Sequence, residues 1–273
     1  NFDLKVEEVF DVQDKIAEEM VSTIVGRVEA DALESIKTKR PDNMDSYDLV
    51  LQGLEYAKKG NVMKENTQKA VELFEKAIEV EPSYARAHAW RACTLSNLAD
   101  WEESPDPKIF ENAFESIKLA LELDSNEPEV HRIMGALKLW HERDHETARY
   151  HFEKARELCP SDVFIISRYA IMLIYFGEFD KALKELKRAK RLDPFSHDLI
   201  FGPEATCHYW LDNPKEALQT FKKVKVKKNY LFYIALTHKK SGDNDQASDN
   251  LREAHALTGM DNDSFIGTQP FMD

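Results

Sequence analysis

From residue 148 to 160 the chain reads ARYHFEKARELCP, and from residue 182 to 194 it reads ALKELKRAKRLDP. Ala148, Phe152, Ala155 and Pro160 thus precede Ala182, Leu186, Ala189 and Pro194 by 34 residues at every position. Steps of four and three keep the first three side chains on one stripe of a helix. Alanine on that stripe lets a second helix come close, and the proline ends the helix and opens the next turn.

Further copies lie on both sides of these two. Ala70, Phe74, Ala77 and Pro82 match in full, and Ala113, Ile117 and Ala120 match with Ser125 in place of the proline. Ala217, Phe221 and Val224 form a degraded copy, and Ala247, Leu251 and Ala254 a good one. Before five of these stripes stands a second small and large pair: Gly53 and Tyr56, Ala92 and Leu95, Ala136 and Leu139, Ala170 and Leu173, Ala235 and His238. Gly177 and Gly242 fall in the turns between the two helices of a unit, ahead of Asp180 and Asp243. A repeat of this period predicts helix pairs that stack, each burying its neighbour's apolar face.

This pattern resembles the tetratricopeptide repeat, and the resemblance covers roughly residues 45–258. It implies an all-α fold, an α-solenoid of about six helix pairs wound as a right-handed superhelix. The expected units are 45–82, 83–127, 128–162, 163–196, 197–227 and 228–258, followed by a tail at 259–273. Departures from the period mark irregular places. About five extra residues lie around Gly60 to Glu65, and about nine between the helices of the second unit, from Trp101 to Lys108. In the fifth unit Gly202-Pro203 falls near the start of the first helix, which predicts a shortened helix there, and Lys227 to Tyr230 replaces the proline turn.

Composition agrees with a helical array. Glycine is 9 of 273 residues and charged side chains make up 32%, which leaves few positions for the tight turns of a β-sandwich. Fifty acidic against 37 basic side chains give a net charge of −13, which argues against nucleic acid or an anionic membrane as the main partner. No apolar run approaches the ~18 residues of a membrane span, and no signal peptide opens the chain. Three cysteines without a CxxC pair, Cys93, Cys159 and Cys207, read as reduced thiols of a cytoplasmic protein.

Ahead of the array, Phe2, Leu4 and Val6 alternate with polar residues, so residues 1–8 read as a strand or linker from a preceding domain. The opening Asn1-Phe2-Asp3-Leu4 lacks an initiator methionine and reads as the start of a cut fragment. Residues 9–40 then carry Val9, Val12, Ile16, Met20, Ile24, Val28 and Ile36 in steps that suit a long amphipathic helix ending before Pro41. That stripe is expected to cap the first repeat, to pair two chains in a homodimer, or to dock a preceding domain. The motifs around it, Phe10, Gln13, Asp14, Ile16 and Ala17, then Asn43, Tyr47, Asp48 and Gly53, resemble a junction in bacterial signalling proteins. There a TolB-like domain passes into tetratricopeptide repeats, as in class III adenylate/guanylate cyclases and CadC-type winged-helix regulators. Ser46 stands where that junction usually has alanine. Gln269-Pro270-Phe271 looks like the short motif after the last repeat of such cyclases.

The chain shows no sequence basis for catalysis or for a cofactor. GxGxxG, GxxxxGK[ST] and GxSxG are all missing, which removes phosphate cradles and nucleophile elbows. His131, His141, His145 and His151 form a dense histidine cluster, but His141 and His145 fall in an inter-helix turn without HExxH order, so they read as solvated turn residues rather than metal ligands. Lys215, Lys222, Lys223, Lys225, Lys227 and Lys228 make a basic run that reads as a solvated face, or as a surface meeting acidic groups of another subunit or domain.

The first helices of a tetratricopeptide array line its concave groove. The resemblance therefore assigns a peptide-binding surface to Tyr47, Val50, Leu54, Arg86, Asn97, Ile133, Leu137, Trp140, Phe164, Ile171, Tyr175, Phe232 and Lys239. Chaperone-binding members clamp a terminal carboxylate with Lys, Asn and Arg, where this chain has Val50, Leu54, Trp90, Val130 and Met134. The clamp is absent. The expected partner is a helix or extended apolar peptide of another protein, or another domain or end segment of the same protein.

Overall fold

A computed structural model describes residues 46–60, 63–102, 105–195, 197–225 and 227–259. Those residues are helical apart from turns and caps, and they form an α-solenoid. The predicted helix over 9–40, with Val9, Val12, Ile16, Met20, Ile24, Val28 and Ile36, lies outside them, as do strand 1–8 and most of the tail. The chain divides into two compact units, whose described parts are 46–159 and 160–259.

The first unit holds α1 (Ser46–Gly60), α2 (Lys64–Val80), α3 (Ala85–Ala99), α4 (Pro107–Leu123), α5 (Pro128–Trp140) and α6 (His145–Leu158). They pack as the hairpins α1–α2, α3–α4 and α5–α6, and each first helix also touches the next first helix. The second unit holds α7 (Val163–Tyr175), α8 (Phe179–Leu192), α9 (His197–Trp210), α10 (Pro214–Phe221), a 3-10 turn at Lys227–Tyr230, α11 (Leu231–Lys240) and α12 (Asn244–Thr258). Its hairpins are α7–α8, α9–α10 and α11–α12, with α9 set against both α7 and α8.

The repeated stripe is the core of each hairpin. Ala70, Phe74 and Ala77 are fully buried, as are Ala113, Ile117 and Ala120. Ala148, Phe152, Ala155, Ala182, Leu186, Ala189, Ala217 and Phe221 are buried too. Truncating one of these large side chains, such as Phe74, to alanine costs about 3–5 kcal/mol. The alanines are small because the helices touch. A Cβ on Gly53 would stand 2.6 Å from Phe74 Cε1, and one on Gly135 would stand 2.9 Å from Phe152 Cδ2.

Helix ends follow from local chemistry. Asp106, Asp144, Asp162 and Asp243 accept N-cap hydrogen bonds from Lys108, Thr147, Ile165 and Gln246 backbone N–H groups. Pro107, Pro128 and Pro214 open their helices, where the missing N–H is not needed. In the turn inside a hairpin the chain enters the left-handed region at Gly177 (φ 72°) and Gly242 (φ 80°), and also at Arg143 (φ 54°) and Asp212 (φ 59°). The same bend is thus built with and without glycine.

The fifth hairpin differs from its expectation. Its first helix, α9, is not shortened: it runs fourteen residues with Pro203 inside it. Thr206 Oγ1 donates to the Gly202 carbonyl across that stretch at 3.0 Å, and Pro203 is buried by packing. The short helix is the second one, α10, at eight residues, and the 3-10 turn fills the place of the proline turn.

Candidate protein-binding surface

In the first unit the faces of α1, α3 and α5 carry the residues expected to line a groove. Tyr47 is 43% exposed, and Leu54, Arg86, Asn97 and Trp140 are half-buried. Val50, Ile133 and Leu137 are instead packed inside, at 1%, 1% and 2% exposure. Val50 belongs to the α1–α2 core with Phe74, and Ile133 and Leu137 to the core shared by α3, α4 and α5. In the second unit Phe164, Ile171 and Tyr175 on α7 are half-buried, Phe232 is buried against Ala254, and Lys239 is exposed.

Charged groups stiffen the α3–α5 contact. Arg86 Nε and Nη2 donate to the two oxygens of Glu127 at 3.2 Å each. Glu127 also accepts from the Glu129 N–H at the start of α5, so one carboxylate caps a helix and holds the previous one. Burial works against the Arg86 charge, and the Glu127 carboxylate more than offsets it, leaving the guanidinium above its ordinary value. Deeper in, Arg132 Nε donates to Glu129 at 2.8 Å and the guanidinium lies 4.9 Å over the Trp90 ring. A cation on a ring face is held by the ring quadrupole, more strongly away from water. The Cys93 thiol lies beside it. Periodicity does not reveal this cluster, because Arg132 and Glu129 are hydrophilic in sequence and buried only by the fold.

The four histidines separate into different surroundings. His141 is exposed in the α5–α6 turn, where its Nε2 pairs with Ser96 Oγ at 2.7 Å and its ring meets Phe110. His145 opens α6. His131 and His151 are buried, with their Nδ1 atoms 2.9 Å apart. The His131 Nε2 faces the Ser125 carbonyl at 2.9 Å. A carbonyl only accepts, so His131 presents an N–H at Nε2, and a single proton lies between the two facing Nδ1 atoms. Among the described residues no group of three or more His, Cys, Asp or Glu is placed to hold a metal ion. Cys207 is buried and its thiol is pushed up to about 12 by that burial, which makes it a poor nucleophile. No described helix is long and apolar enough to cross a membrane.

No protein-family model matches the chain, and no curated protein matches it. Solved structures do. PilF of Pseudomonas aeruginosa matches 79% of this chain and 93% of its own, at 20% identity and a TM-score of 0.52. TTC0263, a thermophilic TPR protein of Thermus thermophilus, matches 72% of this chain and 98% of its own at 18% identity, TM-score 0.52. Human IFIT1, solved with m7Gppp-AAAA, matches 77% of this chain over 50% of its own at 19% identity, TM-score 0.63. The resemblance to cyclase and CadC-type tails finds no support among these structures. What this chain shares with them is the tetratricopeptide-type α-solenoid fold.

Proposed function

We propose that this chain is a non-catalytic interaction module that holds a helix or extended peptide of a partner on the first-helix faces of its hairpins. The observation that carries this reading is the set of partly exposed side chains on α1, α3 and α5: aromatic Tyr47 and Trp140, apolar Leu54 and polar Asn97, on helices of which α3 and α5 are joined by the Arg86–Glu127 fork. Phe164, Ile171 and Tyr175 offer a similar row on α7. Rigid aromatic anchors beside polar groups suit peptide recognition. Val50, Ile133, Leu137 and Phe232 support those rows from the core rather than touching a partner.

The junction motifs from Phe10 to Ala17 and from Asn43 to Gly53 support a finer reading: the C-terminal part of a cytoplasmic bacterial signalling protein resembling a class III cyclase. In that setting the module docks a partner, or the parent's own domains, and biases a distant output. The stripe from Val9 to Ile36 supports a second reading, in which it pairs two chains.

Peptides selected on the full chain from a random display library test the proposal. Those that bind should lose at least about tenfold in affinity with Tyr47→Ala, Asn97→Ala or Trp140→Ala. They should be unaffected by Leu119→Ser, a change at an exposed leucine of the second helix α4. Selected peptides indifferent to all three inner-face changes would overturn it.

A further inference from the structure

In the second unit, α8 and the corner after α10 carry a concentration of positive charge that contrasts with the rest of the chain. Residues 181–228 hold twelve basic and six acidic side chains in a protein of net charge −13. The fold brings the two ends of that stretch together. Lys190 Nζ of α8 lies 4.9 Å from the centre of the Phe201 ring, and Lys223 Nζ, two residues past α10, lies 5.3 Å from it. The two ammonium groups are therefore within about 10 Å of each other, inside one Debye length at moderate salt. Lys190, Arg191, Lys222, Lys223 and Lys225 are exposed, and among the described residues none of them is in an ion pair. Cations gathered this way repel one another until solvent ions or a partner neutralise them.

Two further features indicate what would neutralise them. Phe195, four residues after Arg191, is 87% exposed in a turn where its N–H donates to Asp193 Oδ1 at 2.8 Å. Phe201, by contrast, is buried, so it anchors the lysine stems and offers no face for a base to stack on. The ridge is also bounded. Helix α12 packs against the 3-10 turn at Lys227–Tyr230, and α12 and its cap expose Asp243, Asp245, Asp249 and Glu253. Those carboxylates would repel a polyanion long enough to reach α12, and they favour a short acidic segment.

We propose that this ridge of α8 and the corner after α10 docks an acidic peptide segment bearing a large apolar side chain. Its carboxylates meet the Lys190 and Lys223 ammonium groups and its apolar side chain covers Phe195. None of its residues belongs to the first-helix rows proposed above, so substitutions can address the two sites separately.

Fluorescence anisotropy with the full chain and a labelled oligoglutamate peptide carrying one phenylalanine tests this, beside an oligouridylate of matched length. The peptide should bind at low salt and weaken as salt rises. Lys190→Glu with Lys223→Glu should cost at least about tenfold in affinity. Lys222→Glu with Lys225→Glu, which leaves the Phe201 contacts intact, should do the same, and Phe195→Ser should cost severalfold. Trp140→Ala should leave this binding unchanged, which separates the result from that for the first-helix surface. The proposal is overturned by oligouridylate binding more tightly than the peptide. Peptide binding that survives both charge reversals, or no peptide binding at low salt, also overturns it.

Discussion

The His131–His151 pair shows how one contact between buried side chains ties stability to pH. Burial first, and then the neighbouring His131, pushes His151 down to about 4 from its ordinary 6.5. The Nδ1 atom of His151 faces that of His131, and Tyr150 lies edge-on to both rings. Lys138 also lowers the value, while Asp144 raises it slightly. In the unfolded chain His151 takes up its proton near its ordinary value, and in the folded chain it resists until about pH 4. The unfolded state therefore binds more protons between those limits, and stability falls as pH drops from about 6.5 to about 4, by up to about 3 kcal/mol. Urea denaturation across that range should show a shallower acid loss in His151→Asn than in the wild type. Equal slopes in the two proteins would remove His151 from the account.

At the scale of an element, packing is set by how closely neighbours approach, and α9 of the fifth hairpin is tightly met by the 3-10 turn that follows that hairpin. A Cβ placed on Gly202 would stand 2.0 Å from Tyr230 Cζ and 2.3 Å from its Oη. Tyr230 closes the 3-10 turn and packs on the core of Phe201, Tyr209 and Phe221. Gly202→Ala should therefore destabilise the protein by about 1–3 kcal/mol through overpacking. Tyr230→Leu, which withdraws the phenol ring, should recover part of that loss, and the double-mutant cycle measures the coupling. An additive cycle would mean that the two residues do not press on each other. Proline disfavours a helix interior because it removes one hydrogen bond and crowds the turn before it. That local cost predicts an early stop at Pro203, but α9 continues because tertiary packing buries it. Arg143 likewise holds a left-handed bend that glycine makes at Gly177, 34 residues later. A reading by residue type finds the second turn and misses the first.

For the whole molecule, charge is the property that length and composition state most directly. Thirteen excess negative charges repel one another in the compact state, and salt screens that repulsion. Among the described residues many ion pairs are exposed, such as Lys64–Glu102 and Lys69–Glu72, and exposed pairs contribute little. The melting temperature should therefore rise by a few degrees from low to moderate salt, measured by circular dichroism. A fall would mean that the ion pairs outweigh the net repulsion. Architecture was legible because the repeat is periodic: Phe74, Ile117, Phe152, Leu186 and Phe221 recur on one stripe, and burial of that stripe drives the stacking. The functional surface was less so. The positions expected to line a groove divide into exposed Tyr47 and fully packed Val50, Ile133 and Leu137, a division that depends on which neighbour each helix meets. The sequence alone determined the all-helical array and its excess of negative charge, because helical periodicity and ionisation are properties of the chain itself. Tertiary structure alone decided that Arg132 sits over Trp90, that two histidines share a proton position, and that Lys190 and Lys223 converge on one ring. These contacts join residues of different elements, and the repeat pattern specifies that helices stack without specifying which polar side chains meet.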